Sequence, residues 1–212
     1  MQLIAENINK TIKDKRILVD ISLNLESGNV YGIVGRNGSG KTMLFRALSG
    51  LMRIDSGTIT YDRKVLHKDI SILPNLGIVL ENAGLYPEYT GLKNLQLLAA
   101  LHNRIKKDQI IKAITRVGLD PNDKRILKKY SLGMKQRIVI AQSIMEKPSV
   151  LLLDEPTNAL DEGGVELIRN VILEEKKRGA LVLVASHSKE DIDILSDQVF
   201  YMDKGSIVER KG

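Results

Sequence analysis

The densest chemistry in the chain lies at residues 35 to 42, "GRNGSGKT". Gly35, Arg36, Asn37, Gly38, Ser39, Gly40, Lys41 and Thr42 match the pattern G-x-x-x-x-G-K-[ST] in full. A nucleoside triphosphate needs many donors converging on its oxygens. Glycines let backbone N–H groups wrap that closely. A helix beginning at Lys41 would add its positive end. Lys41 reaches the β and γ phosphates as a point charge, and the Thr42 hydroxyl suits Mg²⁺, a hard ion that keeps several waters.

A second constellation is "VLLLDEP", residues 150 to 156. Four apolar residues and then two acids describe a buried parallel strand whose end opens into the crevice where α/β sheets bind ligands. Asp154 is expected to hold Mg²⁺ through water. Glu155, one step further, projects differently and is the candidate general base for an attacking water. His187 follows the apolar run "LVLVAS" and stands where it would contact the γ-phosphate and that water. His67 and His102 have no such placement and read as surface or packing residues.

These groups need a scaffold, and the chain supplies the pattern of one. "QLIAENIN" and "RILVDISLNLE" read as strands, and "VYGIV" as a short buried parallel strand leading into the glycine loop. "KTMLFRALSGL" has helical spacing at Leu44, Ala47 and Leu48, and "DSGTITYD" reads as a turn and a strand. From about 87 to 146 the texture becomes helical. "GLKNLQLLAALHN" carries Leu92, Leu95, Leu98 and Ala99 on one face, "KKDQIIKAITRVGL" ends at Gly118, and "MKQRIVIAQSIMEK" is a third helix with Ser131 placed to cap it. The α/β pattern then returns: strand, helix "GGVELIRNVILEEKKRG", strand "ALVLVASH", short helix "KEDIDILS", and a closing hairpin with Lys204-Gly205 at its turn. The expected fold is α/β, with a phosphate-loop core, an N-terminal antiparallel β subdomain and an inserted helical subdomain. A single domain spans 1–212, its core at about 1–86 and 147–212.

Composition bounds the partners. The 212 residues are 43% hydrophobic and 27% charged, with 4% aromatics, no Trp and no Cys. The core must therefore be aliphatic, and disulfide or thiol chemistry is excluded. The net charge is +6 and the pI is about 9.4, which reads either as attraction to an anion such as nucleotide, nucleic acid or a membrane face or as a solvated lysine-rich surface; the spread of the charges along the chain favours the second. No nucleic-acid partner is expected. "MQLIAENINK" has no charged start followed by an apolar stretch, so no secretory leader is expected. No apolar run approaches the length of a membrane span, so a membrane role would need a separate chain.

Five features in order, the glycine loop, the helical insert, "YSLGMKQR", "LLLDEPTNALD" and "SH", resemble the nucleotide-binding subunit of ATP-binding-cassette (ABC) transporters over essentially the whole chain. The resemblance implies ATP with Mg²⁺ as ligands and ATP hydrolysis as the activity. It also implies a homodimer, or a heterodimer with a like subunit, and a separate transmembrane permease at the cytoplasmic face of the membrane. Ser131, Leu132, Gly133 and Met134 correspond to the signature motif, which grips the ATP of the opposite subunit. A serine, a free backbone and a helix starting at Met134 would suit a second anion site. Asn158 and Asp161, in "NALD", belong to the loop that crosses between subunits.

Four positions depart from the family pattern. Leu132 stands for the second signature glycine and Met134 for its glutamine, as in the bacitracin and lantibiotic export or immunity group. Glu81 stands for the usual glutamine of the Q-loop and becomes a candidate metal ligand. Ile12 stands where an aromatic normally stacks on adenine, so a weaker base contact is expected. By this reading the chain powers an exporter of a drug or antimicrobial peptide. A soluble ABC-type ATPase on a non-membrane scaffold, such as iron–sulfur assembly, and a nucleotide switch with little turnover are the other readings.

Overall fold

The computed structural model describes residues 1–80 and 84–211. The chain opens with β1 (Gln2–Ile12) and β2 (Lys15–Glu26), an antiparallel pair turned over Lys13 and Asp14, both at positive φ. That backbone is the one whose twist matches a two-residue hairpin. Next come β3 (Val30–Val34), α1 (Lys41–Ser49), β4 (Ser56–Tyr61), β5 (Lys64–Val65) and β6 (Leu76–Val79). The helices α2 (Gly91–His102), α3 (Lys107–Arg116) and α4 (Leu132–Ile144) follow, with a 3-10 turn over Leu127–Lys129 ahead of α4. The chain then alternates β7 (Val150–Asp154), α5 (Glu162–Lys177), β8 (Leu181–Ala185), α6 (Lys189–Leu195), β9 (Gln198–Asp203) and β10 (Ser206–Lys211).

Two sheets form. One is antiparallel, in the order β2-β1-β4-β5; the other runs β10-β9-β3-β8-β7-β6, parallel except for β10. Period-2 alternation divides the core between the faces of the larger sheet. Val150 and Leu152 of β7, with Leu181 and Leu183 of β8, face α1 and the antiparallel sheet. Leu151, Leu153, Val182 and Val184 face the helices α2 to α5. The expected stripes are in place: Leu44, Ala47 and Leu48 are fully buried, as is Leu95, while Leu92 and Leu98 pack at its margin.

Two local readings differ. Helix α4 starts at Leu132 rather than Met134, because the Ser131 side chain accepts from the Met134 N–H, which is the third helical position when the helix follows its cap directly. Strand β6 was not anticipated from the sequence. It is only four residues long, and a Cβ at Gly77 would collide with the Ser143 carbonyl of α4, so the glycine that looks like a strand breaker is what lets α4 lie against it.

Candidate functional site

The glycine loop leaves β3 and enters α1 at the carboxyl end of the larger sheet. Gly40, the residue before α1, has φ +111, and a Cβ there would meet the Ile17 carbonyl at 3.0 Å. At Gly35 a Cβ would meet Ser39 Oγ at 2.5 Å and the Met202 carbonyl at 2.6 Å. The two glycines bring the backbone in tightly. Helix α1 has no side-chain cap and no acid in its first turn, so its N–H groups and positive end suit an anion. Ser39 Oγ is buried with no hydrogen-bond partner. Lys41 is 6% exposed, and its ammonium donates to the Gly35 carbonyl at 2.7 Å. The ammonium thus lies folded over its own loop.

The acidic strand end meets this loop. Thr42 Oγ1 donates to Asp154 Oδ2 at 2.5 Å, joining the first turn of α1 to the last residue of β7. A hydroxyl and a carboxylate in contact are hard oxygen donors, and one or two such ligands beside phosphates are what Mg²⁺ takes. The residues present fit that ion. Glu81 lies outside the described residues.

Glu155 leaves the strand with φ +50. In an extended strand, consecutive side chains point to opposite faces. This left-handed step breaks that alternation and turns Glu155 toward the end of β8. Its carboxylate Oε2 accepts from the His187 backbone N–H at 3.2 Å, and the Glu155 N–H donates to the Ala185 carbonyl at 2.8 Å. Burial pushes the carboxyl up from its ordinary value; the His187 N–H and the charges of His187 and Lys41 pull it part of the way back, and the neighbouring Asp154 raises it again. His187 Nε2 lies 2.8 Å from Asn37 Oδ1 and 3.1 Å from Glu155 Oε1. One Nε2 proton serves one of them, and Glu155 Oε1 is left buried without a hydrogen bond. Asn37, Lys41, Thr42, Asp154, Glu155 and His187 thus converge. Beside them opens a cleft of about 1000 Å³ whose walls include Asn37, Glu155, Asn158 and His187.

Ser131 sits apart from that cluster, at the start of α4. Its hydroxyl accepts from Met134 N–H at 3.1 Å, Leu132 is 70% exposed, and a Cβ at Gly133 would meet the Ala159 carbonyl at 2.8 Å. The segment Asn158 to Asp161 therefore backs onto the first turn of α4 in the same chain. Asp161 caps α5 by accepting from the Gly164 N–H, and Arg137 of α4 donates to the same oxygen at 2.8 Å.

Sequence reasoning passed over several residues that hold the site together. Asp191, 1% exposed, takes the Thr157 hydroxyl at 2.5 Å, the Arg169 guanidinium at 2.6 Å and the Ser186 hydroxyl at 3.3 Å, pinning the loops after β7 and β8 to each other. Ser188-x-x-Asp191 ahead of an apolar run is a helix-start pattern, and Ser188 does cap α6; that signal was readable, but the arginine and threonine partners were not. Gln136 was also passed over, and its Nε2 donates to the Glu155 and Pro156 carbonyls, each at 3.3 Å. His102 lies against Glu146 at the surface, and His67 is half-buried at positive φ, both away from the cluster.

The family described as "ABC transporter" matches residues 18–158, more than half of the sequence. The chain belongs to the ABC transporter family. As a member it is an ATP-binding ATPase subunit. The cassette is 47% identical to the ABC transporter ATP-binding protein YybJ of Bacillus subtilis, over 95% of this chain and 92% of the relative. It is 34% identical to the bacitracin transport ATP-binding protein BcrA of Enterococcus faecalis, covering 97% and 67%, and 32% identical to the lantibiotic transport ATP-binding protein SrtF of Streptococcus pyogenes, covering 97% and 89%. In architecture the cassette matches a dimeric bacterial ABC transporter cassette with a TM-score of 0.89, at 23% identity over 99% of this chain and 97% of the other. That likeness establishes the fold. Among the described residues, no helix of the cassette is long and apolar enough to cross a membrane.

Proposed function

We propose that the cassette binds ATP with Mg²⁺ between two copies, hydrolyses it, and so powers a separate permease that exports a drug or antimicrobial peptide. The observation that carries this is the convergence of Lys41 and Thr42 of the glycine loop with Asp154, Glu155 and His187 at the carboxyl end of the larger sheet.

The residues divide the work. Gly35 to Gly40 and the start of α1 wrap the phosphates with N–H groups, and Lys41 exchanges its loop carbonyl for the β and γ phosphates. Thr42 and Asp154 would hold Mg²⁺, which shields the negative charge of the phosphates. Glu155 accepts a proton from the attacking water, a task its raised pKa suits. His187 orients that water and the γ-phosphate, held in place by Asn37. Ser131, Leu132, Gly133 and Met134 close on the ATP held by the partner copy, and Asn158 and Asp161 lie along the seam between copies. Glu81 is a further candidate ligand of the ion, and Ile12, 39% exposed, offers adenine an aliphatic face in place of an aromatic one.

Within this reading, residues 87–146 form a helical subdomain that rocks against the core of 1–86 and 147–212. The permease docks beside it, where Tyr86 and Tyr89, 54% and 44% exposed, pair at 5.8 Å between ring centroids. Export of a drug or peptide rests on the relatives named for bacitracin and lantibiotic transport. The cassette would work at the cytoplasmic face of the membrane. Co-purification from membranes with a polytopic partner, and ATPase activity raised by that partner and by bacitracin-like peptides, is the expected result. Purification with a soluble scaffold alone would refute the transporter part.

A further inference from the structure

Gln136 sits on the second turn of α4, half-buried. Its side chain donates to two consecutive carbonyls, Glu155 O and Pro156 O, each at 3.3 Å. Those carbonyls belong to the turn that sets the direction of Glu155. At φ +50, Glu155 occupies a backbone region that residues with a side chain rarely adopt, and such conformations persist where their surroundings over-determine them. Here the surroundings can be named. On the β8 side, the Glu155 N–H donates to Ala185 O at 2.8 Å; within the turn, the Asn158 N–H donates to Glu155 O at 3.2 Å; on the α4 side stands Gln136. Pro156 has no N–H of its own to tie the turn.

The same helix end is bolted to the rest of the loop. Gly133 backs onto the Ala159 carbonyl, and Arg137 holds Asp161. Gln136 differs from these two because its target is the backbone of Glu155 itself. Loss of its amide leaves the Pro156 carbonyl, buried beside α4, short of a donor, and frees the turn to relax toward the extended strand, where Glu155 would swing away from the His187 N–H.

We propose that Gln136 is a positioning residue for hydrolysis: by holding the Glu155 and Pro156 carbonyls it fixes the left-handed turn that aims Glu155, and it makes that aim depend on the seating of α4. This rests on the role proposed above for Glu155. It implies that α4 serves two ATP sites, gripping the partner's nucleotide at its Ser131 end and aiming its own chain's Glu155 one turn later.

The test uses the full-length chain and single-turnover ATP hydrolysis. Gln136→Met keeps length and bulk but cannot donate. The hydrolysis rate should fall about tenfold, while monomer ATP affinity and ATP-induced dimerisation stay within about twofold. Gln136→Lys, which restores an N–H donor, should recover to within about threefold of the parent. In a Glu155→Gln background, Gln136→Met should cause no further loss, because it acts through that carboxylate. A folded Gln136→Met chain, with unchanged melting temperature, that hydrolyses at the parent rate overturns the proposal. So does a loss confined to ATP affinity or dimerisation, or an equal loss in the Glu155→Gln background. If Gln136→Met does not fold, Gln136→Glu, with acceptors in place of donors, is compared with Gln136→Lys, and equal rates overturn the proposal. An inactive parent chain, or a Glu155→Gln chain of parental activity, refutes instead the role of Glu155 on which this depends.

Discussion

Thr42 and Asp154, 112 positions apart, meet at 2.5 Å through hydroxyl and carboxylate. One lies in the first turn of α1 and the other ends β7, so the pair ties the phosphate loop to the acidic strand end. If the pair is the Mg²⁺ platform, Thr42→Val or Asp154→Asn should weaken the Mg²⁺-dependent part of ATP binding by about tenfold or more. Binding in excess chelator should be nearly unchanged. Titration calorimetry with and without Mg²⁺ separates the two, and equal losses in both conditions would contradict the platform.

Lys41 is folded over its own loop, its ammonium on the Gly35 carbonyl. Lys41→Ala removes a charged hydrogen-bond donor, a loss of about 1.5–3 kcal/mol. ATP affinity should therefore drop about ten- to a hundredfold. Unchanged affinity by fluorescence titration would remove Lys41 from the site.

Glu155→Gln should keep ATP binding and nearly abolish phosphate release, since the amide keeps the shape and loses the basicity. A second readout comes from its raised pKa. For an acid whose folded value lies above its unfolded one, the stability linked to the neutral form is complete at low pH and lost as pH rises through the folded value. At neutral pH the ionised carboxylate is thus a cost to the fold. The nucleotide-free Glu155→Gln chain should melt above the parent at neutral pH, and the gap should close as pH falls into the ordinary carboxylate range. A variant that melts lower at neutral pH would contradict that sign.

Ser131 has a structural task as well as a proposed one, because it caps α4. Ser131→Ala should cost about 0.5–2 kcal/mol of stability by denaturant titration. Ser131→Arg should leave monomer ATP affinity within about threefold, well under 1 kcal/mol. In the Glu155→Gln background it should abolish the ATP-induced dimer on gel filtration. Loss of monomer binding would mean that the motif acts on its own chain's nucleotide.

Glu175, on α5 and 1% exposed, is held by Arg116 of α3 at 2.8 Å and by Arg178 at 2.6 Å. Arg178 also donates to the Pro148 carbonyl at the entry to β7. Glu175→Ala would leave two arginines facing each other at the seam between α3 and the core. The expected destabilisation is about 3 kcal/mol, the low end for a broken buried pair, because both guanidiniums reach water. Chemical denaturation checks it.

Much of this molecule is legible in one dimension. The glycine loop, the Lys41 helix start, the acids after "VLLL" and the histidine after "LVLVAS" each carry their chemistry in local order. Buried parallel strands need continuous apolar runs, and α/β folds collect function at strand ends. The cap at Ser131 and the hairpin turn at Lys204-Gly205 were equally readable, since both are set by neighbours within four residues. Strand β6 was not, because its pairing with β7 and its glycine's fit against α4 are long-range facts.

What the sequence determined alone is therefore the kind of site: which side chains have the chemistry to bind phosphate, which are acids, and in what order the elements come. Tertiary structure decided their aim. Asp154 and Glu155 are adjacent in the chain; Asp154 faces Thr42, and a left-handed step at Glu155, in place of regular strand alternation, turns the second acid to the His187 N–H. That step is disfavoured locally and is stabilised by donors and acceptors from elsewhere, Ala185 on β8 and Gln136 on α4. Asp191, buried among Thr157, Ser186 and Arg169, belongs to the same class. A conformation maintained against local preference by distant partners leaves no mark on local sequence, because its energy lies in contacts that exist only once the chain has folded.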